Sequence, residues 1–204
     1  MLKFYANNNI IIIGATGTGK TTTVLQILKN RQIEPFPPNI IYLYAARQPF
    51  METWNNDSDN PKIVFYAGLQ LDVLKKFKQP KLLILDDLMM EQSKELTQHF
   101  LAGSHHTQTT TIYISHRVYL NDENYRLLSN NCVYMILLKS KRNRAEITRL
   151  AKQVLGEDSS RLLEAYKYVM TKEYGSVLLS LHNKVPEELT VTADWLSKCP
   201  SVFL

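Results

Sequence analysis

Four consecutive isoleucines, Ile10, Ile11, Ile12 and Ile13, run directly into Gly14-Ala15-Thr16-Gly17-Thr18-Gly19-Lys20-Thr21. An unbroken apolar run of this length suits a strand buried on both faces of a parallel sheet. The eight residues after it meet every defined position of the phosphate-loop pattern G-x-x-x-x-G-K-[ST]. The pattern has a physical reason. Glycines let successive backbone N–H groups turn inward toward phosphate oxygens. A helix over 20–30, with Val24, Leu25, Ile27 and Leu28 on one face, adds the positive end of its dipole. The expected phosphate-binding residues are therefore Gly14, Ala15, Thr16, Gly17, Thr18, Gly19, Lys20, Thr21 and Thr22. Lys20 is placed to reach the β- and γ-phosphates of ATP, and Thr21 to offer its hydroxyl to Mg²⁺.

A strand–loop–helix unit of this kind belongs in an α/β sheet, and the rest of the chain continues the alternation. Strands are expected over 40–44, 63–67, 82–85, 111–115, 133–138 and 176–181. Helical periodicity covers 69–77, 91–102, 145–155 and 160–172. This order predicts a mostly parallel central sheet with helices on both faces. Residues 35–38 read as a stiff proline loop, and 49–61 as irregular and exposed. Residues 1–182 form the expected domain, and 183–204, with Pro186, Trp195 and Pro200, an arm or tail.

Composition removes several classes. Hydrophobic residues make up 45% and charged residues 21% of the chain, which is ordinary for a globular domain and not for a disordered one. The longest apolar run, 132–138, falls far short of the ~18 residues of a membrane helix. The isoleucine run is too short for a signal-peptide core, so secretion is not expected. Cys132 and Cys199 form no CxxC pair, which leaves neither a zinc knuckle nor a disulfide framework.

Three further segments carry chemistry. Leu82-Leu83-Ile84-Leu85 ends in Asp86-Asp87, and paired carboxylates closing an apolar strand are costly unless they face a cation or water. Asp86 is the expected Mg²⁺ partner. Asp87 is the expected base for an attacking water, with Glu91 one turn on as the alternative. The strand 111–115 ends at Ser115-His116, where a polar side chain can sense the γ-phosphate. His105 and His106 are adjacent, point apart, and make a poor chelate.

Residues 139–152 hold Lys139, Lys141, Arg142, Arg144, Arg149 and Lys152 against Glu146 alone. That local excess equals the whole chain's net charge of +5. Such a cluster suits sequence-independent contact with nucleic-acid phosphates, or a subunit rim. Arg117, Arg126, Arg142 and Arg144 are candidates for an arginine finger acting across a subunit boundary, of which one is expected; Arg47 is a further candidate.

In this order, GATGTGKTT, LLILDDLM, GSHHTQTTTIYISHR and NYRLLSNNCVYMILL resemble the FtsK/HerA-type genome-packaging ATPases of double-jelly-roll viruses with internal membranes, including those of archaeal viruses. The resemblance spans about residues 8–182. Gly103 and His105 match the family's glycine-and-histidine segment. His116 stands where the family has Gln, and Arg126 with Asn130 or Asn131 approximates its later Arg–Asn pattern. The resemblance implies a RecA/FtsK-like P-loop NTPase fold and a ring-forming motor that hydrolyses ATP with Mg²⁺ to pull double-stranded DNA into a preformed capsid. It implies as partners the capsid vertex or membrane-associated virion proteins, and as its place the cytoplasm of the infected host cell or the virion vertex. The same phosphate loop also serves small kinases acting on a nucleotide or metabolite, and nucleotide-dependent switches or scaffolds with little turnover.

Overall fold

The computed structural model describes residues 2–88, 94–103, 107–119 and 123–204. Glu91, His105 and His106 lie outside them. In chain order the strands are β1 (Phe4–Tyr5), β2 (Asn9–Ile13), β3 (Ile33–Glu34), β4 (Asn39–Tyr44), β5 (Ile63–Ala67), β6 (Lys81–Asp86), β7 (Thr109–Ser115), β8 (Tyr134–Leu138), β9 (Ser176–Ser180), β10 (Val191–Ala193) and β11 (Ser201–Val202). The α-helices are α1 (Lys20–Lys29), α2 (Phe50–Thr53), α3 (Lys94–Gln98), α4 (Glu123–Asn130), α5 (Arg144–Leu155) and α6 (Ser159–Met170).

Nine strands form one sheet in the order β11-β10-β9-β8-β2-β7-β6-β4-β5. The six from β8 to β5 pair in parallel, and β9, β10 and β11 continue the sheet antiparallel. The mostly parallel sheet expected from the alternation of elements is present. Strand pleating sends alternate side chains to opposite faces. Ile11 and Ile13 join Leu43, Leu85 and Leu137 under Ile147 and Leu150 of α5 and Leu162 and Val169 of α6. Ile10 and Ile12 join Tyr42, Ile84 and Ile136 under Val24, Ile27 and Leu28 of α1. Each fully buried aliphatic side chain contributes about 1.5–3 kcal/mol of transfer free energy. Together they make the sheet the rigid base of the molecule.

The structure departs from the sequence expectation where elements are short. Residues 49–61 are not wholly irregular or exposed: they hold α2 and a 3₁₀ turn, Trp54–Asn56. Met51 and Trp54 are buried there, and the Trp54 indole donates to the Pro61 carbonyl at 2.9 Å. Residues 69–77 form a 3₁₀ stretch, Leu71–Lys76, and not an α-helix. Of the expected 91–102 helix, residues 91–93 lie outside the described residues, and the rest is α3 followed by a π-helical turn, His99–Gly103. Helix α4 had no counterpart among the elements expected from the sequence.

Residues 183–204, read from the sequence as an arm or tail, supply β10 and β11, which pair antiparallel at the β9 edge of the sheet. Trp195 is fully buried and meets the Phe4 ring edge-on at 5.7 Å. Buried Arg161 of α6 donates to the Phe203 carbonyl and to the Glu187 carboxylate, each at 2.9 Å. A buried guanidinium with several acceptors is an expensive contact to lose.

Candidate functional site

The strand order assembles the site. Strand β7 pairs with β2 on one side and β6 on the other, with Ile13 opposite Ser115 and Asp86 opposite Ile114. The carboxyl ends of these three strands therefore lie side by side. Gly14, Asp86-Asp87 and His116 emerge together although more than 70 residues separate the first pair along the chain.

The phosphate loop is pinned at its start. The Gly14 N–H donates to the Ser115 carbonyl at 3.1 Å. A Cβ on Gly14 would lie 2.4 Å from Thr18 Oγ1 and 2.9 Å from Leu138 Cβ, so only glycine lets the loop fold back on itself. Gly19 caps α1 at φ 93°, a left-handed conformation that glycine adopts freely. The first turn of α1 has no acidic residue and no side-chain cap. Its N–H groups and dipole therefore remain available to an anion. Lys20 leaves this turn, and its ammonium donates to the carbonyls of Gly14 at 2.9 Å and Ala15 at 3.0 Å. Burial pulls its pKa below the ordinary lysine range, while the nearby carboxylates of Asp87 and Asp86 oppose that shift.

Asp86 and Asp87 are adjacent in sequence and differ completely in surroundings. Asp86 is 4% exposed. Its Oδ2 accepts from the Tyr42 hydroxyl at 2.6 Å and from Gln48 Nε2 at 2.7 Å. Burial pushes the Asp86 carboxyl up from its usual range, and the hydrogen bonds from Tyr42 and Gln48 and the charge of Lys20 resist it. Burial, together with the Asp86 charge, raises Tyr42, so it stays a donor. The pair Thr21 and Asp86 fits Mg²⁺. Hard oxygen donors are what that ion takes, and both Asp86 donors fall on Oδ2, so Oδ1 has no hydrogen bond among the described residues.

Tyr42→Phe removes one charge-assisted hydrogen bond and keeps the ring that packs against Phe50 and Phe65. A bond of this kind is worth about 1.5–3 kcal/mol. The Asp86 carboxyl in the variant is expected to titrate higher than in wild type, because the Tyr42 hydrogen bond holds it down. Carbon-detected NMR of the side-chain carboxyl reads this directly, and an unmoved titration would show that Tyr42 does not hold the carboxylate.

Asp87 sits just past the end of β6 at φ 57°. Aspartate tolerates this left-handed conformation better than most residues, and such strain concentrates at functional sites. Its side chain is 52% exposed, and Oδ1 lies 2.9 Å from His116 Nε2. His116 Nδ1 lies 3.1 Å from the Lys20 ammonium. An ammonium only donates, so Nδ1 accepts, and the ring proton sits on Nε2 facing Asp87. Lys20, His116 and Asp87 thus form a continuous hydrogen-bonded chain. Ser115 is fully buried, and its hydroxyl donates to the Arg117 carbonyl at 2.9 Å, which shapes the turn that presents His116.

That turn is fastened to the basic helix α5. Asn143 donates to the His116 carbonyl at 3.4 Å. Glu146 accepts from Arg117 Nε at 3.1 Å and Nη2 at 2.9 Å, and from the Val118 N–H at 2.9 Å. The Arg149 guanidinium lies 4.6 Å from the Tyr119 ring centroid. Arg117 is therefore held within its own chain. Arg126, Lys141, Arg142, Arg144, Arg149 and Lys152 are exposed. Lys139 is half-buried, with its ammonium on the Lys172 carbonyl. Arg47 is exposed and lies 3.6 Å from Glu52.

A cavity of about 790 Å³ joins these parts. Residues 16–23 of the loop and helix, Gln48, Asp86, Asp87 and His116 line one end; Leu138, Tyr174, Gly175, Ser176 and Leu196 line the other. The sequence reading missed Tyr42, Gln48 and this second end. Tyr42, set between the aliphatic Ile41 and Leu43 in β4, was the one available signal, since a buried hydroxyl requires a partner.

No known family model and no curated protein matches the sequence. Solved structures do match. The genome-packaging NTPase B204 of Sulfolobus turreted icosahedral virus 2, in complex with ATP-gammaS, superposes with a TM-score of 0.59 over 97% of this chain and 97% of that one, at 12% identity. B204, the DNA-packaging ATPase of Sulfolobus turreted icosahedral virus, gives 0.59 over 98% of both chains, also at 12% identity. The B204 complex with AMP gives 0.55 over 85% of this chain and 92% of that one. The chain has their fold. The P-loop NTPase architecture expected from the sequence is thus present, although seven of every eight aligned residues differ. Among the described residues no helix is long and apolar enough to cross a membrane.

Proposed function

We propose that this protein is an ATP-hydrolysing motor that moves double-stranded DNA into a preformed viral capsid. The observation that carries the reading is the convergence of Lys20, Asp86, Asp87 and His116 on one cavity, in a chain that shares its fold over nearly its whole length with DNA-packaging NTPases. The loop N–H groups and Lys20 bind the β- and γ-phosphates. Thr21 and Asp86 hold Mg²⁺, whose chemistry is to offset charge on the phosphate oxygens. Asp87 orients the attacking water and takes its proton. His116 fixes the Asp87 carboxylate and lies against Lys20, so the γ-phosphate and the base are sensed at one point.

Phosphoryl transfer of this type gains from an arginine supplied across a subunit boundary. Exposed Arg126, Arg142 and Arg144 are the candidates, while Arg117 is paired with Glu146 of its own chain. Self-association into a ring brings one copy's arginine to the next copy's site, and assembly at a capsid vertex in the host cytoplasm supplies the surface on which the ring forms. The exposed basic residues of 141–152 track DNA phosphates without reading sequence. Their helix is fastened to the His116 turn, which gives hydrolysis a mechanical route to DNA.

The test is phosphate release from Mg·ATP with and without long double-stranded DNA. Turnover is expected to rise several-fold with DNA, and the stimulation to shrink as salt is raised, because phosphate contacts release counterions. Phosphate appearing on a nucleotide or metabolite acceptor would identify a kinase, and tight ATP binding without turnover under any condition a switch; either would overturn the motor.

A further inference from the structure

Tyr174 is 77% exposed, the second most exposed large hydrophobic residue among those described. It lines the nucleotide cavity just before β9, which β8, β2 and β7 separate from β6 and Asp87 in the sheet. Three contacts keep it there. Gly175 approaches α6 so closely that a Cβ would lie 2.3 Å from the Val169 carbonyl oxygen. The Gly175 carbonyl accepts from the Lys139 N–H at 2.9 Å, which ties the loop to the end of β8. Lys172, two residues before Tyr174, is paired with Asp194. An exposed aromatic on a loop anchored at three points is a presented surface and not a frayed one.

The cavity around it changes character along its length. The phosphate end is built of backbone N–H groups, threonines, a lysine and carboxylates; the Tyr174 end adds the aliphatic side chains of Leu138 and Leu196. Leu138 also touches the start of the phosphate loop, so the two ends are continuous. A ligand filling both must carry phosphates at one end and a flat apolar face at the other. We infer that Tyr174, with Leu138 and Leu196, forms the nucleobase subsite and that Tyr174 stacks on the base. This rests on the nucleotide-binding reading above and extends it to specificity. The polar side chains at that end are poor readers of a base edge. Gln26 is exposed to water, and the Ser176 hydroxyl already accepts from the Trp195 indole at 3.0 Å. Strong rejection of a wrong base needs buried polar groups that the wrong base leaves unpaired. Stacking holds any base, so the site takes ATP and GTP with little preference.

Equilibrium binding of ATP, GTP and inorganic tripolyphosphate to the full chain with Mg²⁺ tests this. In wild type, ATP and GTP are expected to bind within about fivefold of each other, and both more tightly than tripolyphosphate. Tyr174→Ala is expected to weaken both nucleotides by about tenfold, the scale of one base–aromatic stack. Tripolyphosphate affinity stays unchanged, and Tyr174→Phe restores nucleotide binding. Unchanged ATP affinity in Tyr174→Ala, or a parallel loss of tripolyphosphate, would overturn the subsite. Preference for ATP over GTP by a hundredfold would overturn its indifference to the base. If wild type binds neither ATP nor tripolyphosphate, the nucleotide site itself fails; tripolyphosphate binding lost only in Lys20→Ala keeps that site standing while the base subsite is judged.

Discussion

Lys20→Ala is expected to cut ATP hydrolysis by about 10³-fold or more and to leave the fold as stable as wild type. The first half follows from the geometry: Lys20 is the cation that the loop itself carries, and its ammonium contacts two loop carbonyls and His116. Removing one preorganised donor from a transition-state oxyanion typically costs 10²–10³-fold in rate. Here the loss is expected to reach at least the upper end, because the donor is charged and its removal also takes away the ammonium beside His116 Nδ1. The second half follows from the cost of keeping Lys20 where it is. Burial lowers its pKa from 10.5, so the folded protein carries a penalty for the charged form at neutral pH, which fades as pH rises toward 10.5. Alanine carries no such penalty, and water can reach the carbonyls it abandons. Phosphate release and thermal melting, measured together, check both halves. A variant that melts far below wild type would mean that Lys20 is structural, and near-normal turnover would remove the phosphate loop from the mechanism.

The sequence made this site half legible, and the division has a physical basis. The loop is a local object: the conformations of Gly14 and Gly19 and the reach of Lys20 are decided within eight residues, so the chain displays them in order. Asp86 and Asp87 were visible as two carboxylates closing an apolar strand. Their division of labour was not. It depends on burying Asp86 between β4 and β7 while Asp87 turns out at positive φ. Tyr42 reaches Asp86 across 44 positions, only because β4 pairs with β6. Tyr174 reaches the cavity only because β9 pairs with β8. Strand order is a property of the whole chain, and no window of sequence contains it. The short elements failed for another reason: α2 and the turn Trp54–Asn56 bury one residue each, Met51 and Trp54, too few to establish a period against polar neighbours.

The division between the carboxylates yields the second large effect. Asp87→Asn is expected to lower the rate of hydrolysis by roughly 10²–10⁴-fold, the range for loss of a general base, with ATP affinity nearly unchanged. The substitution is nearly isosteric. An asparagine Oδ1 still accepts from His116 Nε2–H, so the chain from Lys20 through His116 persists and the phosphate contacts are kept. What disappears is the ability to take a proton from water. His116→Ala acts differently: it leaves the Asp87 carboxylate in place but unsteered and removes the acceptor beside Lys20, so affinity and rate are both expected to fall. The contrast separates a proton acceptor from a positioning residue, and single-turnover hydrolysis with parallel ATP-binding measurements reads it. Glu91→Gln serves as the comparison, since Glu91 is the other carboxylate that the sequence offers. If Asp87→Asn hydrolyses ATP at the wild-type rate while Glu91→Gln does not, the base is Glu91, and the bond between His116 and Asp87 serves only to hold the turn after β6.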